Sequence, residues 1–452
     1  MKSIDPSTNL LIHDYQEFTA EKIDSVISYA QKAWKNWKNI PFANRAVMMK
    51  NAASLLRSKS EDYSRLMTLE MGKPIRESRA EVEKSTWVCE YYADNAEQML
   101  AVETVQTDAS ESYITCEPIG IILGVMPWNF PFWQVFRFAA PALMAGNACL
   151  LKHSSNVSGC SLAIEKLFTD AGFPEDIFCS LLISSIEVER IIENPLIKAV
   201  TLTGSEPAGR SVAACAGRNL KKTVMELGGS DPLIILEDAD IFEAAQTAVK
   251  ARMINTGQSC IAAKRFIVVE KVADYFIKLV HEQIKKLKSG NPMDEETDIG
   301  PLARPDLADE LVRQVNESVR LGAEQVHGFL KSRKMGNFID PILLTNVKAG
   351  MPAFDEETFG PLMAVIIAKN EEHAIELANQ SNFGLGASLW TKNPDKAKKL
   401  VPRIDAGAVF VNGLVKSDPR LPFGGIKNSG YGRELSHYGI KEFVNIKSVW
   451  MK

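Results

Sequence analysis

The sequence has little that would commit it to a membrane, a disulfide scaffold or a nucleic acid. No apolar run approaches the ~20 residues that a bilayer-spanning helix needs. The opening Met1-Lys2-Ser3-Ile4-Asp5 lacks the apolar core of a signal peptide. Seven cysteines (Cys89, Cys116, Cys149, Cys160, Cys179, Cys215 and Cys260) make an odd set without paired spacing. That suits a reducing compartment rather than a disulfide framework, so a cytoplasmic location is expected. Six histidines, none at a ligand spacing with cysteine, give no ground for a metal site. A formal net charge of −4 gives none for nucleic acid. Internal repeats and low-complexity linkers are missing too, so the domains should pack tightly.

What is present is the composition of an ordinary globular chain, with 46% hydrophobic and 24% charged residues. At 452 residues it is too long for one compact core, which predicts two or three domains. Residues 24 to 100 read as long helices. Ala30, Ala33, Trp34, Trp37 and Ile40 recur at helical spacing, and Met48, Ala52, Leu55 and Leu56 continue it. From 105 to 118 the pattern is extended. Apolar runs at 119–125, 148–152, 178–183 and 197–202 read as buried strands, with a helix from about Ser158. A second such unit starts at 232–236, with helices around 241–255 and 271–288 and strands near 265, 364 and 409. The run 442–449 reads as an edge strand. Strands alternating with helices imply parallel layers and an α/β fold.

Three segments carry chemistry. In Asn255-Thr256-Gly257-Gln258-Ser259-Cys260 a cysteine ends a run of small, turn-forming residues, which can bring its sulfur to the edge of a cleft. Glu226 precedes the glycine pair Gly228-Gly229, which leaves the carboxylate room to move. Asn129 stands in Pro127-Trp128-Asn129-Phe130-Pro131, an amide pinned between prolines. A thiol, a carboxylate and an amide donor are the parts needed for acyl chemistry through a covalent thio-intermediate. A fourth segment, Thr203-Gly204-Ser205 with Gly209 five residues after Gly204, follows a strand and opens a helix. Such a turn lets backbone amides approach a pyrophosphate, although it also reads as a plain tight strand–helix turn.

In their order and over the chain from about residue 15 onward, these segments resemble the aldehyde dehydrogenase superfamily, NAD(P)-dependent enzymes that oxidise aldehydes to carboxylic acids. The resemblance implies a Rossmann-like cofactor domain (1–104 and 119–227) and an α/β catalytic domain (228–428). It also implies a small β oligomerisation arm (105–118 and 433–452), and hence a homodimer or homotetramer. It implies that Cys260 is the nucleophile and that Glu226 activates the hydrolytic water. The oxyanion would be held by the Asn129 amide and the Cys260 backbone N–H. A glutamate at this position separates hydrolytic members from CoA-acylating ones, so transfer to CoA is not expected. Cofactor contacts fall on Trp128, Lys152, Ser155, Gly204, Ser205 and Gly209, with Glu357 and Phe359 at the nicotinamide ribose and ring. His153 reads as a spacer. Ser155 stands where many NAD-preferring relatives carry a glutamate that would repel a 2′-phosphate, so NADP is placed ahead of NAD.

For the substrate, Arg137 and Ser417 match residues that grip the distal carboxylate in succinate-semialdehyde dehydrogenases. Arg137 lies eight residues after Asn129, a helical spacing that would turn both toward one cleft. The expected substrate is therefore succinate semialdehyde. Another ω-carboxy or small aliphatic aldehyde, such as glutarate semialdehyde, is the alternative. Arg420 is a second candidate carboxylate contact or a solvated loop charge. The chain departs from many relatives at Phe138, where they have lysine, and at Ala262, where some carry a second cysteine. The glycine-rich segment 422–434 matches the family without an assigned role.

Overall fold

A computed structural model describes residues 1–328 and 336–452 of the chain. A short hairpin, β1 (Lys2–Ile4) and β2 (Leu11–Asp14), leads into four helices. They are α1 (Ala20–Trp37), α2 (Phe42–Ser58), α3 (Ser60–Met71) and α4 (Ile75–Met99). Thr19 caps α1 by accepting from Lys22 N, and Ile23, Ile27, Ala30 and Trp37 line its buried face at helical spacing. The next strands, β3 (Glu103–Thr104) and β4 (Glu111–Pro118), belong to a separate three-stranded sheet. Its third strand is formed near the C-terminus by β20 (Val444–Met451), antiparallel to β4 along its whole length.

The parallel sheet that places the site consists of β5 (Ile121–Met126), β6 (Ala148–His153), β7 (Phe178–Ser180), β8 (Ile197–Thr203) and β9 (Lys222–Glu226). Their spatial order is β9-β8-β5-β6-β7, so the direction of winding reverses between β5 and β8. The helices between them are α5 (Trp133–Met144), α6 (Ser158–Asp170), α7 (Glu187–Glu193) and α8 (Glu206–Arg218). These strands are buried on both faces over most of their length, as strands covered by helices must be.

A second sheet is built from β10 (Pro232–Ile235), β11 (Arg265–Val269), β12 (Glu324–His327), β13 (Ile342–Thr345), β14 (Leu362–Ala368), β16 (Gly386–Trp390) and β17 (Ala408–Val411). Its order is β12-β13-β14-β11-β10-β16-β17, with only β12 antiparallel. Helices α9 (Ile241–Met253) and α10 (Glu270–Ile284) cover one face. Two short strands, β15 (Phe383–Gly384) and β18 (Ile426–Lys427), pair with each other. The chain then returns to the first sheet through β19 (Gly430–Tyr431), antiparallel to β9. Among the described residues no helix is long and apolar enough to cross a membrane. All seven cysteines are free thiols.

The expected helices and strands are in place, with two corrections. The strand expected over 178–183 ends at Ser180. The helix carrying Arg137 begins at Trp133, so Asn129 lies in the preceding loop and shares no helical face with Arg137. Glu81 of α4 sets that start: its Oε1 accepts the backbone N–H of Phe132 at 2.8 Å and of Trp133 at 2.9 Å. This satisfies two of the donors a helix N-terminus leaves open. Glu81 is itself paired with the buried Lys73.

Candidate active site

Ligands of a doubly wound sheet bind outside the C-terminal ends of its strands, at the point where the winding reverses. Here that point lies between β5 and β8. The chain leaving β5 is Pro127-Trp128-Asn129, and the chain leaving β8 is Gly204-Ser205. Glu226 is the last residue of β9, in register with Thr203. Lys152 and Ser155 stand at the end of β6. The sheet therefore gathers most of the expected residues along one edge.

Cys260 comes to this edge from the other sheet. The turn before it holds three successive left-handed residues, Asn255 (φ 53°), Thr256 (φ 55°) and Gly257 (φ 77°). Such a run is costly for residues with a Cβ unless the surroundings enforce it. At Gly257 a Cβ would overlap the Gly360 carbonyl. The enforcement is a network of hydrogen bonds. Glu77 Oε2 accepts Asn255 N–H at 2.6 Å, and Asn255 Nδ2 donates to Asn129 O at 2.7 Å. Asn129 Nδ2 donates to Gln258 O at 3.1 Å, Thr256 Oγ1 accepts from Gly300 N, and Gln258 Oε1 accepts from Ala303 N. Asn129 thus lies against the loop that carries the thiol, with one amide hydrogen still unspent. Lys264, only 1% exposed, donates to Cys260 O at 2.6 Å and Ser259 O at 3.1 Å.

Burial pushes the Cys260 thiol up to about 11, against the pull of Arg137 and Lys264. The resting sulfur is therefore protonated near neutral pH. Glu226 is buried, and neither of its oxygens has a hydrogen-bond partner among the described residues. Desolvation, and then the neighbouring Glu434, hold its carboxyl well above the usual carboxylate range. Gly424 (φ 154°) fits against it: a Cβ there would come within 2.7 Å of Glu226 Oε1. Segment 422–434 thus gains a role, since Gly424 closes over Glu226 and Phe423 lies under Arg137, whose guanidinium is 4.6 Å from the ring centre.

One cavity of about 710 Å³ opens at Cys260 and is lined also by Lys84, Trp133, Arg137, Ser417 and Phe423. Arg137 is 1% exposed, which excludes a surface role for it. It forms an ion pair with Glu434 through Nε, and its Nη2 donates to Thr203 Oγ1 at 3.2 Å. Ser417 accepts from Lys84 Nζ at 2.7 Å. Arg420 is the solvated alternative: it is 67% exposed, pairs with Asp418 and does not line the cavity. Phe138 packs beneath β5, where a Cβ on Gly124 would overlap its ring, so it is a core residue.

The cofactor residues divide. Gly204 and Ser205 form the open turn before α8, and Ser205 caps none of the helix N–H groups. They remain available to a phosphate. Gly209 lies inside α8, where a Cβ would overlap the Leu227 side chain, so it serves packing rather than the mouth of the turn. Lys152 is half-buried, and Ser155 is exposed with no acidic side chain of its own to repel a 2′-phosphate. Trp128 and Phe359 meet edge to face at 5.7 Å. Glu357 Oε1 accepts from Gly229 N at 3.0 Å and lies 3.4 Å from Lys264 Nζ. These groups fit a dinucleotide. His153 is buried and drawn down to about 4 by desolvation, hence neutral, and one ring nitrogen contacts Pro131 O at 2.9 Å. It braces the Asn129 loop.

The residues that the sequence pattern missed are Glu77, Lys84, Lys264 and Glu434. Lys264 had a signal, a Lys-Arg pair placed just before the apolar run 266–269. Lys84 had none, because it meets Ser417 across 333 residues of chain.

The model of the aldehyde dehydrogenase family matches residues 1–449. A probable succinate-semialdehyde dehydrogenase [NADP(+)] of Synechocystis sp. is 51% identical over 449 residues, covering 99% of each chain. The succinate semialdehyde dehydrogenase [NAD(P)+] Sad of Escherichia coli is 44% identical, with 99% of this chain and 97% of that one covered. The crystal structure of succinic semialdehyde dehydrogenase from Streptococcus pyogenes in complex with NADP+ superposes with a TM-score of 0.97 at 36% identity, covering 100% and 99% of the two chains.

Proposed function

The chain belongs to the aldehyde dehydrogenase family, and from that premise we propose that it oxidises succinate semialdehyde to succinate, with NADP ahead of NAD as hydride acceptor. The observation that carries the substrate is that Cys260, Arg137 and Ser417 line one cavity. A nucleophile and groups suited to a carboxylate thus face the same small space.

An aldehyde carbon gives up hydride only after it becomes tetrahedral. The Cys260 thiol gives its proton to solvent, and the thiolate adds to the carbonyl carbon, forming a C–S bond as the C=O π bond opens onto oxygen. The oxygen that becomes negative is held by the free amide hydrogen of Asn129 and the Cys260 backbone N–H. Each such donor is worth ~100- to 1000-fold in rate. The nicotinamide, when bound, supplies the hydride acceptor, against Trp128, Phe359 and Glu357. The carbonyl re-forms as a thioester on Cys260. Glu226, free of hydrogen bonds and with a raised affinity for protons, takes one from water once it is ionised. The hydroxide adds to the thioester, the C–S bond breaks and the acid leaves.

The three sheets support a division into a cofactor domain (1–104 and 119–227), a catalytic domain (228–428) and an oligomerisation arm (105–118 and 433–452). In the arm β20 is an edge strand with Ile446, Trp450 and Met451 exposed. Pairing that edge in a homodimer or homotetramer would cover it. The free thiols favour a reducing cytoplasm.

Initial rates with succinate semialdehyde, NADP and NAD in parallel test the reading, with Arg137→Leu alongside. The variant should raise KM for succinate semialdehyde at least tenfold more than KM for butyraldehyde. Turnover of butyraldehyde but not of succinate semialdehyde by the wild type would overturn the substrate and leave the Cys260 chemistry standing. Normal turnover by Cys260→Ala would overturn the chemistry.

A further inference from the structure

The cavity holds a cation that this chemistry leaves unused. Lys84 reaches into it from α4. Its ammonium donates to Ser417 Oγ at 2.7 Å and stands 4.4 Å from the centre of the Trp133 ring. Neither neighbour supplies a counter-charge. The two carboxylates that act on it are committed elsewhere. Glu81 is held by Lys73 and the first amides of α5, and Asp418 by Arg420. An ammonium offers three donors, and a half-buried one without an anion is short of a partner.

Arg137, on the same cavity, has two of its five donors committed. The Nε–Nη2 edge of its guanidinium, the edge best shaped for a carboxylate fork, is turned to Glu434 and Thr203. Both hydrogens of Nη1 and one of Nη2 are left for a ligand, and a carboxylate entering between Arg137 and Ser417 has lone pairs for a further donor.

We propose that Lys84 is a specificity-determining residue, which takes the distal carboxylate of the aldehyde jointly with Arg137 and Ser417. The inference rests on the reading of a carboxylated aldehyde as substrate. It places a full charge from α4 opposite Ser417, a residue of the Leu414–Ser417 loop, so the anion is gripped from two sides of the cavity. Burial draws the Lys84 ammonium down to about 8, so it remains mostly charged at neutral pH.

The test is the ratio of kcat/KM for succinate semialdehyde to that for butyraldehyde, in wild type, Lys84→Met and Lys84→Arg. In Lys84→Met the ratio should fall about 10- to 100-fold, mainly through KM. Inhibition by succinate of butyraldehyde oxidation should weaken in parallel. Lys84→Arg should recover most of the ratio. A Lys84→Met ratio within twofold of wild type overturns the proposal and leaves the substrate reading intact. A wild type without preference for succinate semialdehyde overturns both. Should Lys84→Met fail to fold, the wild-type ratio followed from pH 6 to 10 decides. The groups facing Lys84 are Glu81, Arg137, Asp418 and Cys260. Cys260, at about 11, loses its proton above that range and serves both substrates equally. The ratio should fall as pH rises through about 8, and a flat ratio overturns the proposal.

Discussion

Arg137 and Glu434 form an ion pair closed to solvent, their side chains only 2% and 3% exposed. Beside them Glu226 has no hydrogen-bond partner among the described residues. The pair orients Arg137 at the cavity and sets a second carboxylate next to the proposed base. Glu434→Gln should therefore act in two ways. An uncompensated guanidinium is left buried, which costs about 3–5 kcal/mol of stability, read by urea unfolding at pH 7. The like charge that raises Glu226 is also removed. The rate of thioester hydrolysis needs Glu226 ionised, so its acid limb should move to lower pH, as measured in single-turnover experiments. An unmoved limb would separate Glu434 from the base.

Glu226 itself is held in the fold at a cost. Its folded affinity for protons is raised, so the neutral carboxyl is the form the fold favours. For a raised carboxyl, stability is fully present below the unfolded value near pH ~4.3 and is lost as pH rises toward the folded one. Glu226→Gln should thus be more stable than wild type at pH 7, by about 1–2 kcal/mol. The difference should vanish below pH ~4. The same variant should form the thioester and fail to hydrolyse it. Urea titrations at several pH values, with intact-mass detection of the acyl-enzyme, check both.

The Cys260 thiol gives a third expectation. Held at about 11 mainly by burial, it should react slowly with iodoacetamide at pH 7. The rate should rise close to tenfold per pH unit up to about 11, since only the thiolate attacks. Lys264→Met removes a charge that stabilises the thiolate, so the rate curve should move to higher pH. Mass spectrometry of the Cys260 peptide distinguishes it from the other six thiols.

Much of this was legible in the sequence because the signals are local. A thiol after Gly257, a carboxylate before Gly228-Gly229 and apolar runs at 119–125 and 197–202 each announce themselves within a few residues. The short buried strands β13 and β16 were not legible. At four or five residues, with Thr345 in one and Gly386 and Ser388 in the other, they have neither helical nor alternating period to identify them. The shared helical face of Asn129 and Arg137 failed because Glu81, 52 residues upstream of Trp133, decides where α5 begins. Pairings such as Lys84 with Ser417, or Arg137 with Glu434, join side chains about 300 residues or more apart in the chain, and no spacing encodes them. They carry the charge balance of the cavity, so the chemistry was readable before its tuning was.

The proposed cofactor preference turns on one short side chain. Ser155 is exposed at the end of β6, three residues after Lys152, where the adenine ribose of a dinucleotide would lie. With serine, Lys152 can act on a 2′-phosphate without opposition. Ser155→Glu puts a carboxylate into that space, which repels the phosphate and offers the free 2′-hydroxyl of NAD an acceptor. A charged contact of this kind is worth about 1.5–3 kcal/mol. The ratio of kcat/KM for NADP to that for NAD should therefore fall about 10- to 100-fold. Lys152→Met should lower it in the same direction, by loss of attraction rather than by repulsion. The two mechanisms separate on salt titration, because the repulsion in Ser155→Glu should weaken as ionic strength rises. In Lys152→Met added salt should leave the ratio nearly constant. Parallel kinetics of the two cofactors at 0.05 and 0.5 M salt decide between them. An unchanged ratio in Ser155→Glu would show that the 2′-phosphate does not approach this turn.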